Sequence, residues 1–177
     1  MSTISRRKYR NVGIVIIDDK NNILMLHQSR GWNAPGGKIE TTDRSLYAAA
    51  RREFFEEVTQ QIPFSRSEML ASKYRNHNRN CVIFHNKVPI SQSHAERIVR
   101  LYNRSKVKWR ENNDIAFYPI YKIVSSNNLI VTGTRYAKRN RLARFMKKVC
   151  KIVIHDRVRG FGDVDAEQAN LRIRSEP

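Results

Sequence analysis

Short apolar blocks punctuate the first half of the chain. Residues 12–17 are β-branched and apolar, which predicts a buried strand. Residues 18–22, Asp-Asp-Lys-Asn-Asn, are turn chemistry, and residues 23–27 form the second apolar block, so the pair predicts a hairpin. Residues 28–37 predict a loop carrying Trp32 and Pro35. Tyr47, Ala50, Phe54 and Val58 then recur at helical spacing. They predict a helix ending near Val58, with Thr42 or Asp43 as its N-cap, and Pro63 interrupts the pattern. Residues 69–74 and 81–88 predict two strands around a polar loop at 75–80. Ser93 with Glu96 three residues on reads as a capping box for a helix to about residue 103, whose apolar face is Ala95, Ile98, Val99 and Tyr102. Residues 121–131 predict loop and short strand. A long amphipathic helix is expected over residues 135–153, with Leu142, Phe145, Met146, Val149 and Ile152 as its stripe.

Charge changes this picture. The chain has 177 residues, enough for one domain with appendages, and at 40% hydrophobic residues it can build a core. Its net charge is +18 and its pI about 10.5. Such a field favours polyanionic partners, namely nucleic acid, phosphorylated ligands or an acidic membrane surface, although basic charge also serves solubility. Residues 97–110 hold six basic side chains and no acid, and the helix at 135–153 holds eight and no acid. Like charges on one helix cost stability, which points to an anionic partner such as RNA. The candidate contacts are Arg97, Arg100, Arg141, Arg144, Lys148 and Lys151. Trp32, Tyr74, Tyr102, Trp109 and Tyr136 lie among the bases and read either as stacking platforms or as core. Residues 161–177 carry four acids against two arginines, so residues 1–160 hold +20.

These features divide the chain into a basic arm at 1–10, a domain at 11–158 and a polar, flexible tail at 159–177. Two cysteines, Cys81 and Cys150, set no disulfide framework and match no zinc spacing, so a reducing compartment is expected. No apolar run is long enough to span a bilayer, and residues 1–10 have no signal core. The expectation is a soluble intracellular protein of the cytoplasm, with the nucleus as the alternative.

The densest chemistry lies in Gly36-Gly37-Lys38-Ile39-Glu40-Thr41-Thr42-Asp43 and the helix behind it. Glu53, Glu56 and Glu57 fall within an arc of roughly 100° at 3.6 residues per turn. Three carboxylates on one edge repel one another unless a cation sits among them. Hard divalent ions such as Mg²⁺ take oxygen ligands and also hold substrate phosphates. Glutamate-rich helix faces are also commonly just solvated, so the glycine turn and the spacing matter more than the acids alone.

Trp32 to Gly37 and the helix resemble the Nudix box of the Nudix hydrolases. Gly37 matches its first position, and Arg52, Glu53, Phe54, Glu56 and Glu57 match its Arg-Glu core and Glu pair. Asp43 stands where the box has a glutamate, separated from Arg52 by eight residues rather than seven, and Val58-Thr59-Gln60 lacks the closing glycine and aliphatic residue. The resemblance implies an α+β fold, an α/β/α sandwich with a mixed sheet, here with a basic helical insertion at about 91–110 and a basic helix at about 135–153. It implies metal-dependent hydrolysis of a nucleoside diphosphate linked to another moiety, with Mg²⁺ or Mn²⁺ as cofactor. Glu53, Glu56 and Glu57 would be metal ligands and catalytic, the Gly37 carbonyl a further ligand, and Arg52 the residue that orients a glutamate, with Glu56 the expected partner. Glu40 and Asp43 are outer candidates. Glu111 and Asp114 both precede an aromatic strand in the way a late acidic ligand does, and Asp114 has the better spacing to Phe117 and Pro119. His77, His85 and His94 are weak candidates for a base. The basic body is similar to compact Nudix proteins of large DNA viruses and favours the mRNA cap as substrate. A small substrate (ADP-ribose, a dinucleoside polyphosphate, a damaged nucleotide or an inositol pyrophosphate) and a binding module with weakened chemistry are the alternatives.

Overall fold

The computed structural model describes residues 9–28, 31–76, 79–105, 114–125 and 146–158. Its centre is β1, Asn11–Val15, which pairs antiparallel with β4, Gly36–Lys38, and parallel with β6, Arg79–Asn86. The strand β5, Met69–Asn76, closes the far edge, so this mixed sheet runs β4-β1-β6-β5. A second, antiparallel sheet runs β3-β2-β7, from Gly31–Asn33, Asn22–Gln28 and Asp114–Pro119.

The expected hairpin of the first two apolar blocks therefore does not form a continuous ladder. An Ile17–Ile23 bridge, a Leu24 N–H to Ile16 carbonyl bond of 3.0 Å and an Asp18 N–H to Asn22 carbonyl bond of 3.0 Å join them, and the two strands then part into different sheets. The expected loop at 28–37 contains both short strands, β3 and β4. Gly36, the first residue of β4, holds φ +148°, a conformation that side chains rarely adopt. A Cβ there would also strike the Val12 carbonyl.

Four helices cover the strands: α1, Leu46–Val58; α2, Gln92–Arg104; α3, Ile120–Ser125; and α4, Met146–Val158. Every residue from Ile23 to His27 of β2 is buried, because both faces of that strand are covered. Leu24 and Leu26 join a cluster with Ala50, Phe54 and Val58 of α1 and with Ala95, Ile98 and Tyr102 of α2. Ile23 and Met25 join a second cluster with Ile120 and Ile123 of α3 and with Met146, Val149, Cys150 and Val153 of α4. Helices thus lie on both faces, and the sandwich is as expected, with two sheets in place of one.

The capping predictions shift. Ser45, not Thr42 or Asp43, caps α1 by accepting the Ala48 N–H at 3.0 Å, because the Asp43 carboxylate is engaged elsewhere. Ser91, not Ser93, caps α2, and Glu96 accepts the Gln92 amide instead of closing a capping box. Residues 121–125, expected within loop and short strand, are helical in α3, and α4 runs past Val153 to Val158. In α4 Val153 is buried together with Met146, Val149 and Cys150, while Ile152 is half-buried. The arm at 1–8, the tail at 159–177, and Leu142 and Phe145 lie outside the described residues.

Two buried polar contacts fasten the edges. Asn86 Oδ1 accepts the Ile17 N–H at 2.8 Å, and its Nδ2 donates to the carbonyls of Ile17 at 2.7 Å and Val88 at 2.8 Å. Ser72 on β5 donates to Asp156 of α4 and lies 3.1 Å from His85 Nε2 on β6, which ties the C-terminal helix to the sheet edge. His85 is fully buried, with its Nε2 in this contact. Both cysteines are buried and neither forms a disulfide; burial pushes the Cys150 thiol up to about 12. Among the described residues, no helix is long and apolar enough to cross a membrane.

Candidate active site

The site forms where α1 runs alongside β4. Burial of Ala50, Phe54 and Val58 fixes the rotation of α1. That rotation turns the edge bearing Glu53 and Glu57 toward the glycine turn. Glu57 is 7% exposed, and each of its oxygens takes one donor: the Gly36 N–H at 2.7 Å and the Gln28 amide at 2.7 Å. The Glu53 carboxylate packs directly over Gly37, and a Cβ at that position would overlap it. Glycine at 37 therefore makes space for a carboxylate rather than serving a backbone turn. Glu56 is the outermost of the three, with its side chain 55% exposed.

Arg52 gathers the acids. Its Nε donates to Asp43 Oδ1 at 3.1 Å and its Nη2 to Asp43 Oδ2 at 2.8 Å, a two-pronged pairing that suits a guanidinium. Nη1 reaches Glu53 at 2.9 Å and Glu56 at 3.3 Å, and Nη2 also donates to the Lys38 carbonyl at 2.9 Å. The expected Arg52–Glu56 contact exists, but the principal partner is Asp43. Asp43 Oδ2 also accepts the Glu40 N–H at 2.8 Å and closes that turn.

These environments pull the carboxyls apart. Burial raises the Glu53 carboxyl, and Arg52 only partly counters it, so Glu53 lies above the usual glutamate range. Burial pushes Asp43 in the same direction, but the Arg52 fork and the Glu40 N–H more than offset it, so Asp43 lies below the usual range. The guanidinium of Arg52 is raised in turn, first by its bonds to Asp43.

Among the described residues, no three His, Cys, Asp or Glu side chains converge closely enough to hold a metal as they stand. Each acid instead leans on a protein donor, which relieves the repulsion among them. The donor set nevertheless fits a hard divalent ion. It is all oxygen, it arises from about one turn of α1, and Gly37 leaves the Glu53 carboxylate room.

The chain matches the NUDIX domain family over residues 7–117, which span β1, β4 and α1. It belongs to the Nudix family. No curated protein matches its sequence. Among solved structures it is similar to an Ap4A hydrolase of C. elegans, at 14% identity over 86% of this chain and 99% of that one, with a TM-score of 0.49. It is likewise similar to the E. coli ORF135 protein, at 16% identity over 89% and 97% with a TM-score of 0.49. A mutT/nudix family protein from Listeria innocua follows at 12% identity over 85% and 93%, also with a TM-score of 0.49. As a Nudix hydrolase the protein is a pyrophosphohydrolase, and the family generally uses divalent ions such as Mg²⁺ or Mn²⁺.

The other predicted positions fare unevenly around this Nudix site. Asp114 opens β7 in register with His27, next to Gln28, so it stands at the end of the sheet nearest Glu57. Its Oδ1 accepts the Ile115 N–H at 2.9 Å. Arg97 and Arg100 are exposed on α2, and Lys148 and Lys151 are exposed on α4. Arg141, Arg144, Glu111, His77, Trp109 and Tyr136 lie outside the described residues. Two stacking candidates are corrected: Trp32 and Tyr102, 0% and 2% exposed, belong to the core and present no face to a base. Trp32 instead meets the His27 ring edge-on, with centroids 5.3 Å apart. The Gln28 and Gly36 contacts to Glu57 had no signal in spacing, because both donors come from the strands β2 and β4.

Proposed function

We propose that the protein is a metal-dependent Nudix hydrolase of capped RNA, cleaving a phosphoanhydride in the 5′ cap. The observation that carries the chemistry is the convergence of Glu53 and Glu57 on the Gly36-Gly37 turn, with Arg52 bridging Glu53, Glu56 and Asp43. Glu53, Glu56 and Glu57, with the Gly37 carbonyl, would hold Mg²⁺ or Mn²⁺. When bound, such an ion neutralises phosphate oxygens and lowers the pKa of water. Arg52 keeps the carboxylates of Glu53 and Glu56 oriented toward β4. Glu57, held by Gly36 and Gln28, fixes the inner wall of the site. Asp114 supplies an acid at the same end of the sheet.

The polymer is supported by charge. A single nucleotide needs few cations, whereas a net +18 spread over the chain suits many phosphates. Arg97, Arg100, Lys148 and Lys151 are exposed, and Arg141 and Arg144 extend the same basic run in the sequence.

A substrate panel with Mg²⁺ and Mn²⁺ tests this reading: capped RNA, ADP-ribose, a dinucleoside polyphosphate and a nucleoside triphosphate. Glu56→Gln should abolish turnover while folding and RNA affinity persist; turnover at the wild-type rate would remove the assigned site. Neutralising Arg141, Arg144, Lys148 and Lys151 together should weaken cleavage of capped RNA more than cleavage of a free dinucleotide. Equal losses, or preference for a small substrate in the panel, would replace the RNA reading.

A further inference from the structure

A separate cavity opens between α2 and the outer ends of β2 and β7. Its volume is about 640 Å³, within the range of small-molecule sites. Phe117 and Val99, both half-buried, form its apolar wall. Arg100 and Arg104 line the other side, one helical turn apart and therefore neighbours on one face. Neither guanidinium makes an ion pair or hydrogen bond among the described residues. Asn103, between them in sequence, also lines the cavity and carries an amide donor and acceptor.

The cavity is distant from the glutamates. Asn22 lines it at the start of β2, whereas Gln28, which holds Glu57, is six residues on, or about 20 Å of strand. Two acids border it. Asp18 is 1% exposed, and its carboxylate is engaged by the Lys20 and Asn22 N–H groups and the Asn22 amide, all at 2.8–2.9 Å. Glu96 lies at the exposed rim and takes the Gln92 amide. Neither faces the guanidiniums as a partner in an ion pair.

An aromatic wall, a side-chain amide and two adjacent guanidiniums without an ion pair among the described residues match one kind of ligand. Arginine forks suit phosphate, and an aromatic ring accepts a base in stacking. We infer that this cavity is a second nucleotide site, in which a base stacks on Phe117 and its phosphate is held by Arg100 and Arg104. The ligand is either a free nucleotide or one residue of an RNA strand. The inference goes beyond the hydrolytic site and does not depend on which anhydride that site cleaves.

Calorimetric titrations in EDTA, where hydrolysis is suppressed, test it. The probes are AMP, inorganic phosphate and an uncapped single-stranded 12-nucleotide RNA, against wild type, Phe117→Leu and Arg104→Ala. Each variant should weaken nucleotide binding by about tenfold. Arg104 is exposed, so that variant keeps the test valid if Phe117→Leu lowers the Tm. Binding of both AMP and RNA identifies a free-nucleotide site, and binding of RNA alone identifies a strand contact. The inference is overturned if neither nucleotide probe binds, if phosphate binds as tightly as AMP, or if neither variant weakens binding. A wild-type hydrolase with an unoccupied α2 cavity would leave the glutamate site standing, and a hydrolytically dead protein that still binds AMP would leave this one standing.

Discussion

Replacing Asp43 by alanine removes both prongs from Arg52 and the acceptor of the Glu40 N–H. Asp43 is 6% exposed, so water does not readily substitute for it. Charge-assisted bonds contribute about 1.5–3 kcal/mol each when one partner is lost, but Arg52 keeps Glu53, Glu56 and the Lys38 carbonyl, so the lower end applies and the total loss is about 3 kcal/mol. With a urea slope of about 2 kcal/mol/M, the unfolding midpoint should fall by about 1.5 M. Trp32, fully buried in the native state, gives the fluorescence signal. In a double-mutant cycle with Arg52→Ala, the coupling should be about 2 kcal/mol. The pH dependence has a definite sign. Asp43 is held below its ordinary value in the folded protein, so its contribution is complete above the unfolded value of about 3.9 and disappears as pH falls through the folded one. The gap between wild type and variant should hold from pH 7 to 5 and narrow only in stronger acid. A midpoint shift under about 0.3 M, or a gap that closes by pH 5, would refute the claim that Asp43 anchors the box.

The two box glycines should behave differently. Gly37→Ala meets only the end of the Glu53 side chain, so stability should change by under about 1 kcal/mol while turnover collapses. Gly36→Ala meets the Val12 backbone at a positive φ and should cost more than about 2 kcal/mol, read as a lowered urea midpoint. Thr59 ends α1 in the left-handed region, at φ 60° and ψ 24°, where a branched residue is strained. Thr59→Gly should therefore raise stability by about 0.5–1 kcal/mol, even after losing the Thr59 hydroxyl bond to the Val58 carbonyl; a lowered Tm would contradict it.

The glutamate trio was legible because helical spacing alone places Glu53, Glu56 and Glu57 on one edge. The role of Asp43 was not, since it depends on the chain folding back nine residues onto Arg52. The same engagement explains why the cap moved to Ser45. The sandwich followed from mixed strand and helix patterns, but its division into two sheets did not. The continuous apolar run of β2 is what a strand buried on both faces looks like, and nothing local in it announces its partners. Likewise, β1 finds β6 in parallel across about seventy residues, with α1 in the crossover. The strands β3 and β4 are three residues each, too short for periodicity to register. Stacking by Trp32 and Tyr102 failed because exposure cannot be read from residue type.

Asn86 stands in for a length of backbone that the protein lacks. Its amide offers Ile17 an acceptor and a donor, as a neighbouring strand's peptide would, and does so where β1 has left its ladder to cross into β2. Such mimicry narrows the alphabet at that position to nearly one letter. Aspartate would set a negative oxygen against two carbonyls, and leucine would answer neither group. Spontaneous deamidation of Asn86 would therefore loosen the seam between the two sheets from within, without touching a single residue of the glutamate edge.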